Sequence, residues 1–265
     1  MTTPNGDGPR VAFQSSAPRP PRSSLLAPRS SPASMPRPTG LTSAASALHY
    51  WERRQEVASN NLANVSTDGF KGERVFATML GRSTPVAQAA TDMTAGTMRP
   101  TGAPLDLALK GDGFLVVDTP NGERFTRGGS LQLDARRRLV DASGHPLLGA
   151  KGPITLPEGT VAIDASGAVK VDGKPVDRLR VERSGAGAEL AHEGGTLFVP
   201  DAARRPVAPS EGVVRQGFIE ESNVNTVGSM VDMIAVQRAY ASVQKAVTTI
   251  DAVRGTAVTE IGKPV

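Results

Sequence analysis

Three residues of the sequence could form a hydrolase triad, namely Ser130, Asp134 and His145. Such a triad needs a reactive serine held in place beside its base, and in α/β enzymes that serine lies in a Gly-x-Ser-x-Gly turn. No such pentapeptide occurs in the chain. We therefore interpret the three residues as a coincidence of composition, and no catalytic residue is predicted.

Two carboxylates and two glycines further along the chain allow other chemistry. Asp106 and Asp112 could be the acid and the base of a glycosidase-like β enzyme, but nothing in the sequence brings their carboxyl groups together. Gly111 and Gly113 form a Gly-x-Gly that could cradle a phosphate. Because no helix pattern follows these glycines, a turn between strands is favoured.

The supply of metal ligands is small. The chain has no Cys, which excludes disulfides, thiolate catalysis and zinc or iron–sulfur sites built on Cys. Its three histidines, His49, His145 and His192, do not have the spacing of a metal-binding motif. We predict no metal site, no cofactor and no enzymatic activity.

The positive charge is concentrated at the N-terminus. The formal net charge is +4, and residues 1–38 carry five arginines but only one acidic residue, Asp7. This segment is rich in Pro, Ser and Gly, which predicts disorder. Its charge suggests, as the alternative function, a nucleic-acid or anionic-surface binding protein, although no such binding motif is present. Met35 directly precedes the first helical pattern, and translation could start there.

The sequence offers no means of membrane insertion that we recognise. No apolar run approaches the roughly 18–20 residues needed to cross a bilayer. The N-terminus also lacks the continuous apolar segment of a cleaved secretory signal. We therefore predict no direct membrane insertion and no cleaved signal peptide.

The segment 39–71 predicts a helix followed by a turn. Apolar and small residues recur at spacings of three and four from Leu41 through Leu48 and Trp51 to Leu62. The helix is expected to end between Asn60 and Asn64, where amide side chains cap and turn the chain. Direct contact with another subunit is the less favoured interpretation of Asn60, Asn61 and Asn64.

The middle of the chain predicts β structure. Residues 72–102 show no strong period and are interpreted as an extended connector. Residues 103–212 contain short alternating segments separated by turn sequences such as Asn121-Gly122 and Asp172-Gly173. This pattern predicts a central all-β domain, antiparallel and rich in hairpins.

The segment 213–265 contains the strongest helix pattern. Asn223 and Asn225 offer N-caps. Beyond them a seam steps by three and four residues through Met233, Val236, Tyr240, Val243, Val247 and Ile250, and Ile234 widens its first half. The predicted fold class is α+β, with the N- and C-terminal helices paired as a coiled-coil-like assembly domain beside the β domain. Ordinary packing of both helices on the β domain is an equally open alternative.

At three places the sequence resembles the rod and hook proteins of the bacterial flagellum. The run from Asn60 to Lys71, which includes Gly69 and Phe70, resembles their N-terminal signature, and Leu105 to Phe114 with Phe125 to Ser130 resembles their central β motif. The stretches Ser222 to Asn225 and Gln237, Arg238, Ala239 and Tyr240 resemble their C-terminal signature. Within the family, the middle of the chain is more similar to the proximal rod proteins, and Gln237 to Tyr240 is at least as similar to the distal ones.

The resemblance implies a structural subunit of the flagellar basal-body rod. Its partners would be other rod and hook subunits, further copies of itself in a helical assembly, and the flagellar type III export apparatus. The assembly residues would then be the signature and seam residues, namely Leu48, Trp51, Asn60, Asn61, Leu62, Asn64, Gly69, Phe70, Asn223, Asn225, Met233, Ile234, Gln237, Arg238, Tyr240, Val243, Val247 and Ile250. The chain departs from the family pattern at Arg136-Arg137, where the family usually carries Gly.

Overall fold

The computed structural model describes residues 40–80, 84–185, 187, 189–211 and 213–261. The Arg-rich segment 1–38, with Met35, lies outside these residues. Predictions about that segment are therefore not addressed by the structure.

One long helix lies at each end of the described chain. Helix α1 comprises Gly40–Ala63 and helix α2 comprises Thr226–Ile261. As predicted, α1 ends in the Asn-rich sequence, where the Asn64 side chain donates to the Asn60 carbonyl at 2.9 Å. Asn225 caps α2 by accepting a hydrogen bond from the Gly228 amide at 2.7 Å. Helix α2 extends beyond Arg254, where the sequence pattern had predicted its end.

Short antiparallel strands lie between the helices. The first three are β1 (Glu73–Leu80), β2 (Thr84–Thr91) and β3 (Met98–Pro100). They are followed by β4 (Leu107–Leu109), β5 (Phe114–Thr119), β6 (Gly122–Thr126), β7 (Gln132–Leu133), β8 (Leu139–Val140), β9 (Leu148–Gly149) and β10 (Gly152–Pro153). The remaining strands are β11 (Val161–Ile163), β12 (Ala168–Val171), β13 (Lys174–Arg178), β14 (Val181–Arg183), β15 (His192–Gly194), β16 (Leu197–Phe198), β17 (Arg205–Pro206), β18 (Val214–Gln216) and β19 (Phe218–Glu220).

We call residues 98–220 the β body. Its largest sheet has the order β15-β16-β6-β5-β14-β17, and β11-β12-β13 form a smaller one. Two pairings join strands from the start of the body to strands from its end, β3 with β19 and β4 with β18, and so close the body. Leu, Val and Ile side chains from these sheets form one apolar core, and Phe114, Phe125 and Phe198 belong to a second. The predicted central all-β region is therefore correct.

The predicted coiled-coil-like assembly domain was wrong. Helix α1 contacts α2, but it also packs against both strands of the β1–β2 hairpin. Among the described helical residues, the buried apolar side chains are Val57 and Val236. A coiled coil needs large apolar residues at regular positions along both helices, whereas the stripe of α1 contains Ala44, Gln55 and Ala58. We call α1, the hairpin and α2 together the helix–hairpin layer.

The β1–β2 hairpin lies within the segment interpreted as an extended connector. Its strands pair along their full length, from Glu73 opposite Thr91 to Leu80 opposite Thr84. The sequence pattern did not reveal it, because alanines on both faces of β2 leave no alternation of apolar and polar residues.

The turn at Arg136-Arg137 explains the departure from the family pattern. Arg137 has a φ of +58°, a backbone conformation that favours Gly. Its guanidinium donates to the carbonyls of Leu156 and Pro157 at 2.8 Å each. These two bonds offset the backbone strain, so an arginine is tolerated at a glycine position.

In the part of the chain that the structure describes, neither helix combines the length and the apolar character needed to cross a membrane.

A network of ion pairs lies on the largest sheet and makes stability depend on pH. Hydrogen bonds from Arg180 hold the pKa of the Glu123 carboxyl at about 2, compared with an ordinary 4.5. Both guanidinium bonds from Arg180 are 2.7 Å long, and Arg204 adds a third of the same length. Because the pKa of Glu123 is lower in the folded chain than in the unfolded chain, its ion pairs contribute to stability. This contribution to the free energy of unfolding is complete above the unfolded pKa and is lost as the pH falls toward 2.

We expect Glu123→Gln to lower the free energy of unfolding at neutral pH by about 1 kcal/mol, because the side chain is partly exposed and the interaction is screened. The difference from the natural chain should shrink as the pH falls below about 4.5. Urea unfolding followed by circular dichroism at neutral and acidic pH measures both values. Glu158→Gln, at an exposed position, is the control. A difference independent of pH would contradict the assignment.

Candidate functional site

Three segments, which we call crossings, lie where the helix–hairpin layer meets the β body; two of them connect the layer to the body, and the first connects two elements of the layer. Crossing 1 is residues 64–72, which join α1 to β1; crossing 2 is residues 92–97, which join β2 to β3; and crossing 3 is residues 221–225, which join β19 to α2. The three crossings meet at one place, which contains the N-terminal signature and the start of the C-terminal signature. This junction is the candidate functional site.

Glycines allow the crossings to approach the body and one another very closely. The Gly69 amide donates to the Glu220 carbonyl at 2.6 Å. A Cβ on Gly69 would lie 2.2 Å from the Arg127 carbonyl carbon, and one on Gly96 would lie 1.9 Å from the Glu221 carbonyl oxygen. Neither position can hold a larger residue unless the backbone moves.

The Glu220 carboxylate is at the centre of the junction. Its Oε1 accepts a hydrogen bond from Lys71 Nζ at 2.5 Å and another from the Gly96 amide at 2.9 Å. Its Oε2 accepts from an Arg127 nitrogen at 3.2 Å. The side chains of Lys71 and Glu220 are each 1% exposed and that of Arg127 is 5% exposed. One buried carboxylate therefore binds crossing 1, crossing 2 and the body, and the next residue begins crossing 3.

The remaining hydrogen bonds of the two cations are made to backbone carbonyls. Lys71 Nζ donates to the Thr94 carbonyl at 2.7 Å, and Arg127 donates to the Leu109 and Gly111 carbonyls at 3.3 and 2.5 Å. Burial lowers the pKa of the Lys71 ammonium and that of the Arg127 guanidinium, and in both cases Glu220 opposes the shift. The carboxylate thus favours the charged form of both groups in a site that water does not reach.

One asparagine of the signatures joins the crossings to each other, and a second joins the end of α1 to the start of β1. Asn223 in crossing 3 accepts from the Gly72 amide at 2.8 Å and donates to the Asp92 carbonyl at 2.7 Å. The Asn61 side chain donates to the Glu73 carbonyl at 2.8 Å and accepts from the Glu73 amide at 2.9 Å. These amides therefore pair with backbone within the chain.

The other predicted residues of the N-terminal segment lie along α1 and crossing 1. The side chains of Asn60 and Asn64 form a hydrogen bond with each other. The side-chain oxygen of Asn64 also accepts a hydrogen bond from the Thr67 hydroxyl at 3.1 Å. Phe70 is buried completely. Leu48, Trp51 and Leu62 are half-buried on α1. Of these residues, Phe70 contacts the body, where its ring meets the His192 ring edge-on.

The seam residues of α2 separate into two sets. Val236 is buried, while Met233, Tyr240, Val243, Val247 and Ile250 are half-buried, and the Tyr240 hydroxyl donates to Glu52 of α1 at 3.3 Å. Ile234 is 51% exposed, and Gln237 and Arg238 are also exposed. At 3.6 residues per turn, Ile234 lies on the side of α2 that faces away from Val236.

Ile234 belongs to a group of exposed apolar side chains that we call the outer patch. Its members are Val227, Met230, Val231 and Ile234, with exposed fractions of 72%, 49%, 61% and 51%. Helical spacing places all four away from the stripe that contacts α1. The outer patch therefore offers an apolar surface that is not used within the described chain.

Two members of the rejected hydrolase triad, Asp134 and His145, have other partners. Asp134 accepts a hydrogen bond from Arg138 at 2.7 Å, and the His145 ring lies 3.0 Å from Asp141. Both interactions stabilise turns. Among the described residues, no three His, Asp or Glu side chains form a group that could hold a metal ion. The chemistry available at the junction is charge pairing and hydrogen bonding, which hold segments together.

The sequence interpretation did not single out Lys71, Arg127 or Glu220. Lys71 and Arg127 lie within the motifs that carry the family resemblance, but both look like ordinary surface cations. The available signal for a buried charge was the position of Glu220, which directly follows the apolar pair Phe218-Ile219 in a strand-like stretch. Nothing in the sequence indicated that Glu220 would meet Lys71, 149 residues away.

Three family models match the chain in succession. "Flagella basal body rod protein" matches residues 41–71, "Flagellar hook protein FlgE/F/G D1 domain" matches 108–171, and "Flagellar basal body rod FlgEFG protein C-terminal" matches 215–260. The first match contains crossing 1 except for Gly72, and the third contains all of crossing 3. They therefore include both signatures that meet at the junction.

Individual relatives extend over most of the chain. The flagellar basal-body rod protein FlgF of Escherichia coli (strain K12) is 36% identical over 227 residues, which cover 75% of this chain and 88% of that protein. FlgF of Rhizobium meliloti (strain 1021) is 33% identical, covering 77% and 90%, and FlgG of Bacillus subtilis (strain 168) is 30% identical, covering 80% and 94%. The higher identity to FlgF agrees with the predicted similarity to the proximal type. The chain belongs to the family of flagellar basal-body rod proteins.

Proposed function

We propose that this chain is a structural subunit of the flagellar basal-body rod and that it polymerises through the outer patch of α2. Membership of the rod protein family supports the structural role. The four exposed apolar side chains of the patch are the observation that carries the assembly surface. Patches of this kind on a soluble chain are typical of interaction sites.

The proposed partners are other rod and hook subunits and further copies of this chain. In the proposed arrangement the outer patch packs against a different surface of the neighbouring subunit, which makes the contact heterologous, so that it propagates an assembly instead of closing it. In this arrangement the rod transmits torque from the motor to the hook. We also propose that the chain is exported through the flagellar type III apparatus and reaches a periplasmic location without a cleaved signal peptide.

The other signature and seam residues of α2 support the proposed assembly surface without belonging to the outer patch. Met233, Val236, Tyr240, Val243, Val247 and Ile250 hold α2 against α1, and so they orient the outer patch. Gln237 and Arg238 are exposed next to the patch and would contribute polar contacts at its rim. Binding energy at such interfaces is concentrated in a few central apolar side chains.

The test is Ile234→Asp. Because Ile234 is half exposed, the charge should leave the monomer folded, but it would place an unpaired carboxylate in an apolar interface. We expect normal expression and export in a strain that lacks the natural gene, with loss of rod assembly and of swimming. Fractionation of basal bodies and motility in soft agar measure these results.

Lys245→Gln is the matched control, because Lys245 is exposed on the same helix outside the patch. It should swim like the natural chain. Normal rod assembly by the Ile234→Asp chain would show that the outer patch is not an interface.

A further inference from the structure

The three crossings meet at one buried carboxylate, and burying this charge together with two cations is a costly way to gain stability. Glu220 faces two cations, Lys71 and Arg127, and all three side chains are at least nine-tenths buried. Buried ion pairs of this kind are often no more stabilising than apolar residues of the same volume, because each charge is removed from water. Their directional hydrogen bonds, however, accept only one geometry.

We infer that Glu220 is a positioning residue that fixes the direction in which the helix–hairpin layer leaves the β body. Its carboxylate is held by Lys71 from crossing 1, by the Gly96 amide from crossing 2 and by Arg127 from the body. Crossing 3 begins at the following residue. A rotation of the layer about any one crossing would therefore break a bond at the same carboxylate.

Asn223 adds a second set of directional bonds on the layer side of Glu220. Its side chain joins crossing 3 to the Gly72 amide of crossing 1 and to the Asp92 carbonyl of crossing 2. Hydrogen bonds thus join the crossings to one another. A single covalent connection, by contrast, would leave the layer free to rotate relative to the body. This inference deepens the proposed function, because the angle of the layer decides where the outer patch points.

The contrast with the neighbouring residue supports the assignment. Glu221 also forms an ion pair, with Arg99 at 2.9 Å, but the two side chains are 43% and 53% exposed. An exposed pair is screened by water and can rearrange at little cost. Glu221 therefore provides a matched control, adjacent in sequence and equal in charge.

The experiment measures the direction of the layer in the isolated monomer. Because the chain has no Cys, spin labels attach only at introduced positions, here Ser143→Cys in the body and Ala252→Cys on α2, which are both exposed. Pulsed electron spin resonance gives the distribution of distances between the two labels. A second pair, Ser143→Cys with Lys174→Cys, lies within the body and serves as the reference.

The main variant is the triple substitution Lys71→Met, Arg127→Met and Glu220→Gln, which removes all three charges and keeps an oxygen to accept from the Gly96 amide. We expect it to remain folded and the body reference to be unchanged, while the distribution between body and α2 becomes roughly twofold wider. Glu221→Gln should leave both distributions unchanged. A triple variant that folds and gives the natural distribution would overturn the inference.

Glu220→Gln alone provides the result if the triple variant does not fold. This isosteric change removes one charge and should widen the same distribution while the body reference stays narrow; an unchanged distribution overturns the inference. The measurement uses monomers, so it is independent of whether the outer patch is an assembly surface. Loss of assembly by Ile234→Asp together with a narrow distribution in Glu220→Gln would support the proposed function and reject the positioning role.

Discussion

Gly69→Ala should unfold the junction and leave little stable protein. The methyl group would lie 2.2 Å from the Arg127 carbonyl carbon and 2.4 Å from the Gly128 nitrogen, and both of these are backbone atoms. Because these atoms belong to the backbone, they cannot move aside as the end of a flexible side chain could. Crossing 1 would therefore have to separate from the body. We expect a loss of about 4 kcal/mol or more in the free energy of unfolding, in the range of the most damaging single substitutions.

Gly102→Ala separates steric contact from backbone strain. Gly102 has a φ of +73° and Gly69 one of +71°, but a Cβ on Gly102 would meet no atom within 4 Å. This control should cost only about 1 kcal/mol, which is the price of the left-handed conformation for alanine. Urea unfolding of both variants gives the two values. Equal losses would show that close packing at Gly69 is unimportant.

Val236→Asp should detach α2 from α1 without unfolding the β body. Val236 is 1% exposed. Among the described residues that line the same cleft, the cations are Arg54 and Arg74. Because Arg74 is already paired with Asp92 and Arg54 lies over the Trp51 ring, the buried charge should cost about 3–5 kcal/mol. A helix that loses its packing surface is only marginally stable in water. The body keeps its own apolar core.

Far-UV circular dichroism and limited proteolysis measure this effect. We expect lower helical signal and rapid cleavage within α2, while a fragment that contains the body resists the protease. Val253→Asp is the control, because Val253 lies on the same helix and is 64% exposed. A Val236→Asp chain with the helical signal and protease resistance of the control would contradict the role of this contact.

The sequence contained enough information for the helices and for the β character of the middle. Spacings of three and four residues located α1 and most of α2, and alternation with turn sequences predicted the strands of the body. The same seam led to the wrong coiled-coil assignment. Periodicity reports which side of a helix is apolar, but it does not report that α1 would be covered by a hairpin as well as by α2.

The candidate site was only partly predictable. The motifs pointed to Asn61, Gly69 and Asn223, because turn and capping residues are recognisable from their local sequence. The charge cluster was not predictable from one sequence. Arg127 and Glu220 come together through the pairing of β3 with β19 and of β4 with β18, and Lys71 reaches them from crossing 1; local patterns do not specify such long-range contacts.

The distance along the chain between the parts of the junction determines when it can form. Lys71 and Glu220 are 149 residues apart, and closing so long a loop before the intervening chain is ordered carries a large entropic cost. Most pairings inside the body join strands that are near neighbours in sequence, such as β5 with β6 and β11 with β12. Contacts between near neighbours form sooner. The body should therefore fold first and shorten the effective loop, and the helices should reach their final orientation last.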